Sequence, residues 1–234
     1  MSSFKDVVGH KNIIQYIENA VKTDKVSHAY ILNGEKGSGK RLLANLFAMS
    51  LQCQNRDEDG DACGKCQSCK QAVSNNQPDI IRVTHEKPNT ISIDDIREQI
   101  NNDIVIKPYS SKYKIYIVPD ADMMSVQAQN ALLKTIEEPP AYAVILLLTE
   151  NAEILLPTIR SRCVMLKLRN IKDQLIKKYL MEQMEIPDYK ADVCVAFAQG
   201  NMGRAIMLAT SEHFNEIKDC LLYTSPSPRD GATS

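Results

Sequence analysis

Four cysteines, Cys53, Cys63, Cys66 and Cys69, follow one another as C-x9-C-x2-C-x2-C. Each two-residue step lets a tight turn aim successive thiolates at one ion, and Cys53 closes the tetrahedron from the end of the element before it. Four soft ligands with no open position suit structural Zn2+ and not catalysis. An iron–sulfur cluster and unligated thiols are the alternatives, and the spacing favours zinc over both. The second group that can do chemistry is Gly34-Glu-Lys-Gly-Ser-Gly-Lys40, which fits G-x-x-x-x-G-K. Gly34, Gly37 and Gly39 let backbone N–H groups close around phosphates, and Lys40 supplies charge to their oxygens. The ligand implied is ATP or ADP.

The position after this lysine is Ser or Thr where Mg2+ is held, because a hydroxyl ligates the cation. Here it is Arg41, and a guanidinium cannot ligate a metal. A hydrolysing site also needs an apolar strand ending in Asp-Glu, the Asp placing Mg2+ and the Glu polarising the attacking water. The chain reads Ile115-Tyr-Ile-Val118-Pro119-Asp120-Ala121-Asp122. One register puts Pro119 at the metal position and Asp120 at the catalytic one. Shifting by one puts Asp120 at the metal position and Ala121 at the catalytic one, which is no better. Two separate supports for Mg2+ are damaged together, so a role for that ion is doubtful.

These groups need a scaffold, and the apolar pattern supplies one. Ile13, Ile14, Ile17 and Val21 recur at helical spacing over residues 11–22. Residues 29–33 form a short apolar strand that runs into the glycine loop, and residues 41–52 a buried helix after it. Strand, glycine turn, helix is the order a phosphate-binding loop requires. Further strands are predicted over 79–83, 114–118, 143–149 and 163–168, and helices over 93–104 and 125–138. Several strands are uniformly apolar, which implies a parallel sheet covered on both faces. The polar stretch 55–76 that carries most of the cysteine cluster reads as an insertion. From Asn170 the pattern is purely helical, over 172–184, 189–199, 203–209 and 212–222.

The last residues, 223–234, are rich in Ser, Pro and Gly and carry no apolar periodicity, so they read as disordered. They interrupt what looks like an unfinished helical region, as a foreign or misread junction would. His10, His28, His85 and His213 show no ligand spacing, and Cys163, Cys194 and Cys220 read as core or incidental residues. Asp57–Asp61 reads as a solvated loop. The formal net charge of -1 gives no global field toward nucleic acid, which argues against a free-standing DNA-binding module. No run approaches the roughly 18 apolar residues of a membrane span, and the polar start MSSFKDVVGHKN lacks a secretion signal. The expected location is cytoplasmic.

Asn130-Ala-Leu-Leu-Lys-Thr-Ile-Glu-Glu-Pro-Pro140 and Ile159-Arg-Ser-Arg-Cys163 carry a resemblance, together with His28-Ala-Tyr-Ile-Leu32 and the glycine loop. They are similar, over about residues 4–215, to the AAA+ subunits of bacterial DNA polymerase III clamp loaders. Counting back from Asn130 then selects the register with Pro119 at the metal position. The resemblance implies an α/β AAA+ P-loop domain over 1–168 with a parallel sheet and a zinc module at about 53–76. A small helical lid would follow at 169–222, and the expectation is that this sequence does not include the family's helical collar.

By the same resemblance Arg162 is an arginine finger reaching ATP on a neighbouring subunit. Thr149 is a polar sensor beside the gamma phosphate, and Arg204 a second sensor in the lid; plain structural roles compete closely for both. The gamma/tau branch of the family carries G-K-Ser/Thr and Asp-Glu. This chain has neither, which resembles the delta-prime branch, a largely non-hydrolysing scaffold; the alternative is an ATP-hydrolysing gamma/tau-type motor. Such a subunit is part of a DNA-directed DNA polymerase holoenzyme without being an ATPase by itself. The implied partners are gamma/tau and delta in a hetero-oligomeric ring, with the sliding clamp and primed DNA reached through the complex.

Overall fold

The computed structural model describes residues 3–211. The predicted helix 212–222, the tail 223–234, His213 and Cys220 lie outside them. Five strands, β1 (Ala29–Asn33), β2 (Ile80–Arg82), β3 (Lys114–Val118), β4 (Ala143–Thr149) and β5 (Val164–Lys167), form one sheet. The order is β2-β3-β4-β1-β5, with every neighbouring pair parallel. Each parallel return needs a crossover, and helices supply most of them.

Side chains alternate between faces along a strand, and here both sets are apolar. Tyr30, Leu32, Val144, Leu146 and Leu148 share one core with Ile17, Val21, Leu43 and Phe47. These last four come from α1 (Lys11–Lys22) and α2 (Lys40–Gln52). Ala29, Ile31, Ile145 and Leu147 face the other core, with Ile96, Leu132, Ile136 and Ile159. That face is covered by α4 (Ile93–Ile96), α5 (Val126–Glu137) and α6 (Pro157–Arg160). Continuous apolar strands are therefore the signature of a sheet with no wet face.

The predicted helix over 93–104 is not uniform. After α4 the chain widens into a π-turn at Arg97–Asn101, with the Asn102 N–H bonding the Arg97 carbonyl at 2.9 Å. The wide turn brings Asn101 against α5, where its amide donates to the Ala131 carbonyl (3.0 Å) and its carbonyl accepts from Thr135 Oγ1 (3.1 Å). Both polar atoms of Asn101 are thus held by the neighbouring helix. The cysteine insertion also holds a helix the pattern did not reveal, α3 (Gln67–Val73), capped by Cys66.

The chain divides into two compact units, the first ending at Arg169 and the second beginning at Asn170. The second contains α7 (Asp173–Met184), α8 (Asp188–Ala198) and α9 (Met202–Thr210). Its interior is made by Ile176, Leu180, Ala191, Val195, Ala198, Ala205 and Ala209. Gly200 holds φ +80°, and a Cβ there would lie 2.7 Å from Asn170 Cβ, so only glycine fits the turn between α8 and α9.

Candidate functional site

The carboxyl ends of β1, β3 and β4 carry the candidate polar groups, as open α/β sheets generally place them. The loop leaving β1 is tied to the tip of β4, because the Gly34 N–H donates to the Thr149 carbonyl at 3.1 Å. Gly37 and Gly39 hold φ +85° and +98°, left-handed conformations that favour glycine. Lys40 opens α2 and is buried. Its ammonium donates to the carbonyls of Gly34 and Glu35, the latter at 3.0 Å. Burial holds this ammonium below its ordinary pKa, against the attraction of Glu150, Asp122 and Asp120. A loop of this shape, at the N-terminus of a 13-residue helix, can cradle an anion.

Arg41 and Asp120, the residues at two eroded positions, meet each other. Arg41 Nη2 lies 2.8 Å from Asp120 Oδ2, and Asp120 holds a left-handed backbone with φ 51° just beyond Pro119. Thr149 is fully buried, and its hydroxyl oxygen accepts from the Asn151 N–H at 3.1 Å. That bond fixes the strand end.

The four cysteines come together at the far end of α2. Cys53 ends that helix, Cys66 caps α3, and all four sulfurs lie within 4.8 Å of one another. Backbone N–H groups of Cys63, Cys66 and Cys69 point at the sulfurs of Cys53, Cys63 and Cys66 at 3.3, 3.4 and 3.4 Å. Burial raises the Cys66 thiol, but N–H donors from Gln54 and Cys69 and the adjacent thiols outweigh it and bring it to about 6. Burial pushes Cys53 and Cys69 up. The donor set fits one soft metal ion: four sulfurs, three of them accepting backbone N–H bonds, are enough to fill a tetrahedral shell. By contrast Cys163, half-buried and outside the cluster, is pushed up to about 12 by burial alone.

Arg162 follows α6 directly. Its guanidinium bonds the Glu137 carboxylate at 3.1 Å and the Thr158 carbonyl at 3.1 Å, and 43% of the side chain stays exposed. In the register of the sheet Val164 lies opposite Tyr30, at the amino end of β1. The glycine loop leaves the carboxyl end, about 13 Å along the four-residue strand. Arg162 thus precedes the amino end of β5, while its own loop leaves the carboxyl end of the adjacent β1. Arg204 is exposed on α9, and its N–H is held by the Asn201 side chain at 3.1 Å.

The protein family described as DNA polymerase III, delta subunit, matches residues 9–172. The chain belongs to this delta-subunit-like clamp-loader family of DNA polymerase III. Subunit tau of DNA polymerase III from Bacillus subtilis is 32% identical over 231 residues, covering 94% of this chain and 40% of that one. A gamma subunit-related protein from Thermotoga maritima has a similar structure, with 25% identity and a TM-score of 0.56 over 89% of this chain and 63% of its own. RuvB of Thermotoga maritima, a Holliday junction branch migration motor, shares the fold at 16% identity with a TM-score of 0.59, covering 95% of this chain and 66% of its own. The chain spans less than two thirds of the length of these relatives. Curated relatives in this family carry the names tau, gamma or both.

Two features of this clamp-loader chain escaped the sequence. His10 Nε2 lies 3.0 Å from the Ser38 carbonyl, inside the glycine loop. Burial lowers this imidazole's pKa against the pull of that carbonyl. A single histidine in a turn carries no spacing signal. Asp61, read as part of a solvated loop, is instead buried. It accepts from Ser3 Oγ at 2.6 Å and the Phe4 N–H at 2.9 Å, fastening the cysteine module to the N-terminal turn. Gly34 also has a role beyond phosphate access. A Cβ there would lie 2.8 Å from Ser38 Oγ and 2.9 Å from Leu168 Cβ. Gly34→Ala is expected to lower stability by about 1–3 kcal/mol through overpacking, read as a reduced urea midpoint; an unchanged midpoint contradicts the clash.

Proposed function

We propose that this chain is a delta-prime-type clamp-loader subunit. It binds ATP or ADP without turning it over and gives Arg162 to the nucleotide on an adjacent subunit. The observation that carries the reading is the Arg41–Asp120 ion pair at 2.8 Å beside Pro119. Arg41 occupies the place of the hydroxyl that ligates Mg2+, and its partner is the acid left in the neighbouring motif. Neither side chain is free to perform the step that the metal and the polarised water perform in a motor subunit.

In this reading the amides of Gly37 and Gly39 and the Lys40 ammonium hold the phosphates. Thr149 directs its hydroxyl hydrogen at the terminal group, and Arg204 acts as the second sensor. Arg162 stabilises charge on a phosphoryl group transferring in the neighbour's site. Cys53, Cys63, Cys66 and Cys69 hold a structural Zn2+ ion, which supplies a cross-link and no chemistry. The partners are gamma/tau and delta, with the clamp and primed DNA reached through the ring. The setting is the cytoplasm, and no helix among the described residues is long and apolar enough to cross a membrane.

A gamma/tau-type motor is the second reading, favoured by the names of the curated relatives. Phosphate release by the purified chain with ATP and Mg2+ separates the two. The expected result is a rate indistinguishable from that of Lys40→Ala. Turnover that Lys40→Ala abolishes would establish the motor reading instead.

A further inference from the structure

The ion pair at the mouth of the glycine loop does more than mark a lost metal site. Arg41 is the second residue of α2, after Lys40, so its guanidinium leaves the first helical turn. That turn is where the helix dipole and the unpaired N–H groups already draw anions. The side chain is 70% exposed and bonds Asp120 Oδ2 through Nη2. A guanidinium has five N–H donors, and the bond to Asp120 uses one.

The charges balance in the same way as in a metal-dependent loop. There, two acidic side chains oppose a divalent cation. Here Pro119 has removed one acid, Asp120 remains, and Arg41 opposes it with a single positive charge. A phosphate approaching the loop therefore meets a comparable local charge, delivered by a donor that forks onto oxygens bidentately. We propose that the Arg41 guanidinium is a built-in counter-ion at the Mg2+ position, so that this chain binds a nucleoside polyphosphate without a divalent metal. Asp120 orients the guanidinium and competes with the phosphates for it. The inference rests on the reading of the loop as a phosphate cradle.

The test is a fluorescence titration of the full chain with N-methylanthraniloyl-ADP, in EDTA and in excess Mg2+. Wild type is expected to bind with the same Kd, to within about twofold, in both; a charge-assisted bond to phosphate survives chelation of metal. Arg41→Thr is expected to weaken binding in EDTA by about tenfold or more, the loss of one charge-assisted hydrogen bond. Asp120→Asn is expected to act in the opposite direction and tighten binding, because the guanidinium loses its competitor. A merely structural pair would move both variants the same way. Because the pair is exposed, both variants keep the unfolding midpoint of wild type.

Wild-type binding that collapses in EDTA overturns the inference and leaves the nucleotide reading standing. An unchanged affinity of Arg41→Thr in EDTA overturns it too. Failure to bind with and without Mg2+ removes both the inference and the nucleotide site.

Discussion

Arg162→Ala, placed in a reconstituted clamp-loader ring with clamp and primed DNA, is expected to slow hydrolysis at the adjoining site by about 10³-fold or more. The physical case is positional. Arg162 lies between α6 and β5, at the amino end of that strand, and its own glycine loop leaves the carboxyl end of the adjacent β1. The side chain is half-exposed, yet Glu137 and the Thr158 carbonyl hold it in one orientation at 3.1 Å each. A pre-oriented guanidinium stabilises developing charge with little reorganisation. Arg162→Lys should recover little, because a point ammonium lacks the planar fork. Glu137→Gln removes the anchor and keeps the finger, so its effect should be no more than about tenfold, the scale of one weakened charged contact. Steady-state phosphate release checks all three. A rate for Arg162→Ala within twofold of wild type, with the ring assembled, would reduce Arg162 to a structural arginine.

The second large effect concerns the cysteine cluster. Cys69→Ser is expected to abolish metal content measured on the purified chain and to lower Tm by about 10 °C or more. Cys53 and Cys69 lie in the same core as Phe47 and Leu43, so losing the ion loosens the sheet face under α2, not only a surface knuckle. Loss of a structural metal belongs to the mechanisms that exceed about 4 kcal/mol, and each kcal/mol moves Tm by about 2–4 °C at this size. Cys163→Ser, outside the cluster, should leave the metal content at one ion per chain. Full metal content and an unshifted Tm in Cys69→Ser would show that these thiols are unligated.

The elements that set the scaffold were legible because their signals are periodic. Ile17 and Val21 mark one face of α1, and the unbroken apolar runs of β3 and β4 announce strands buried on both sides. The cysteine spacing was legible for a different reason: the x2 steps are short enough that sequence distance nearly fixes spatial distance. What stayed hidden depends on tertiary partners. The π-turn at Arg97–Asn101 answers to α5, some 30 residues later. The burial of Asp61 answers to Ser3 and Phe4. In the sequence Arg41 and Asp120 each stand as a defect, and their pairing across 79 residues of chain emerges only in the folded loop.

In the delta-prime reading this chain lends a guanidinium to a neighbour while its own loop does no hydrolysis. Phosphate release from the assembled ring, with this subunit carrying either Arg162→Ala or Lys40→Ala, tests both halves at once. Arg162→Ala is expected to suppress the rate, and Lys40→Ala to leave turnover at the intact neighbouring sites. Suppression by Lys40→Ala with full activity in Arg162→Ala would contradict it and make this subunit a motor in its own right.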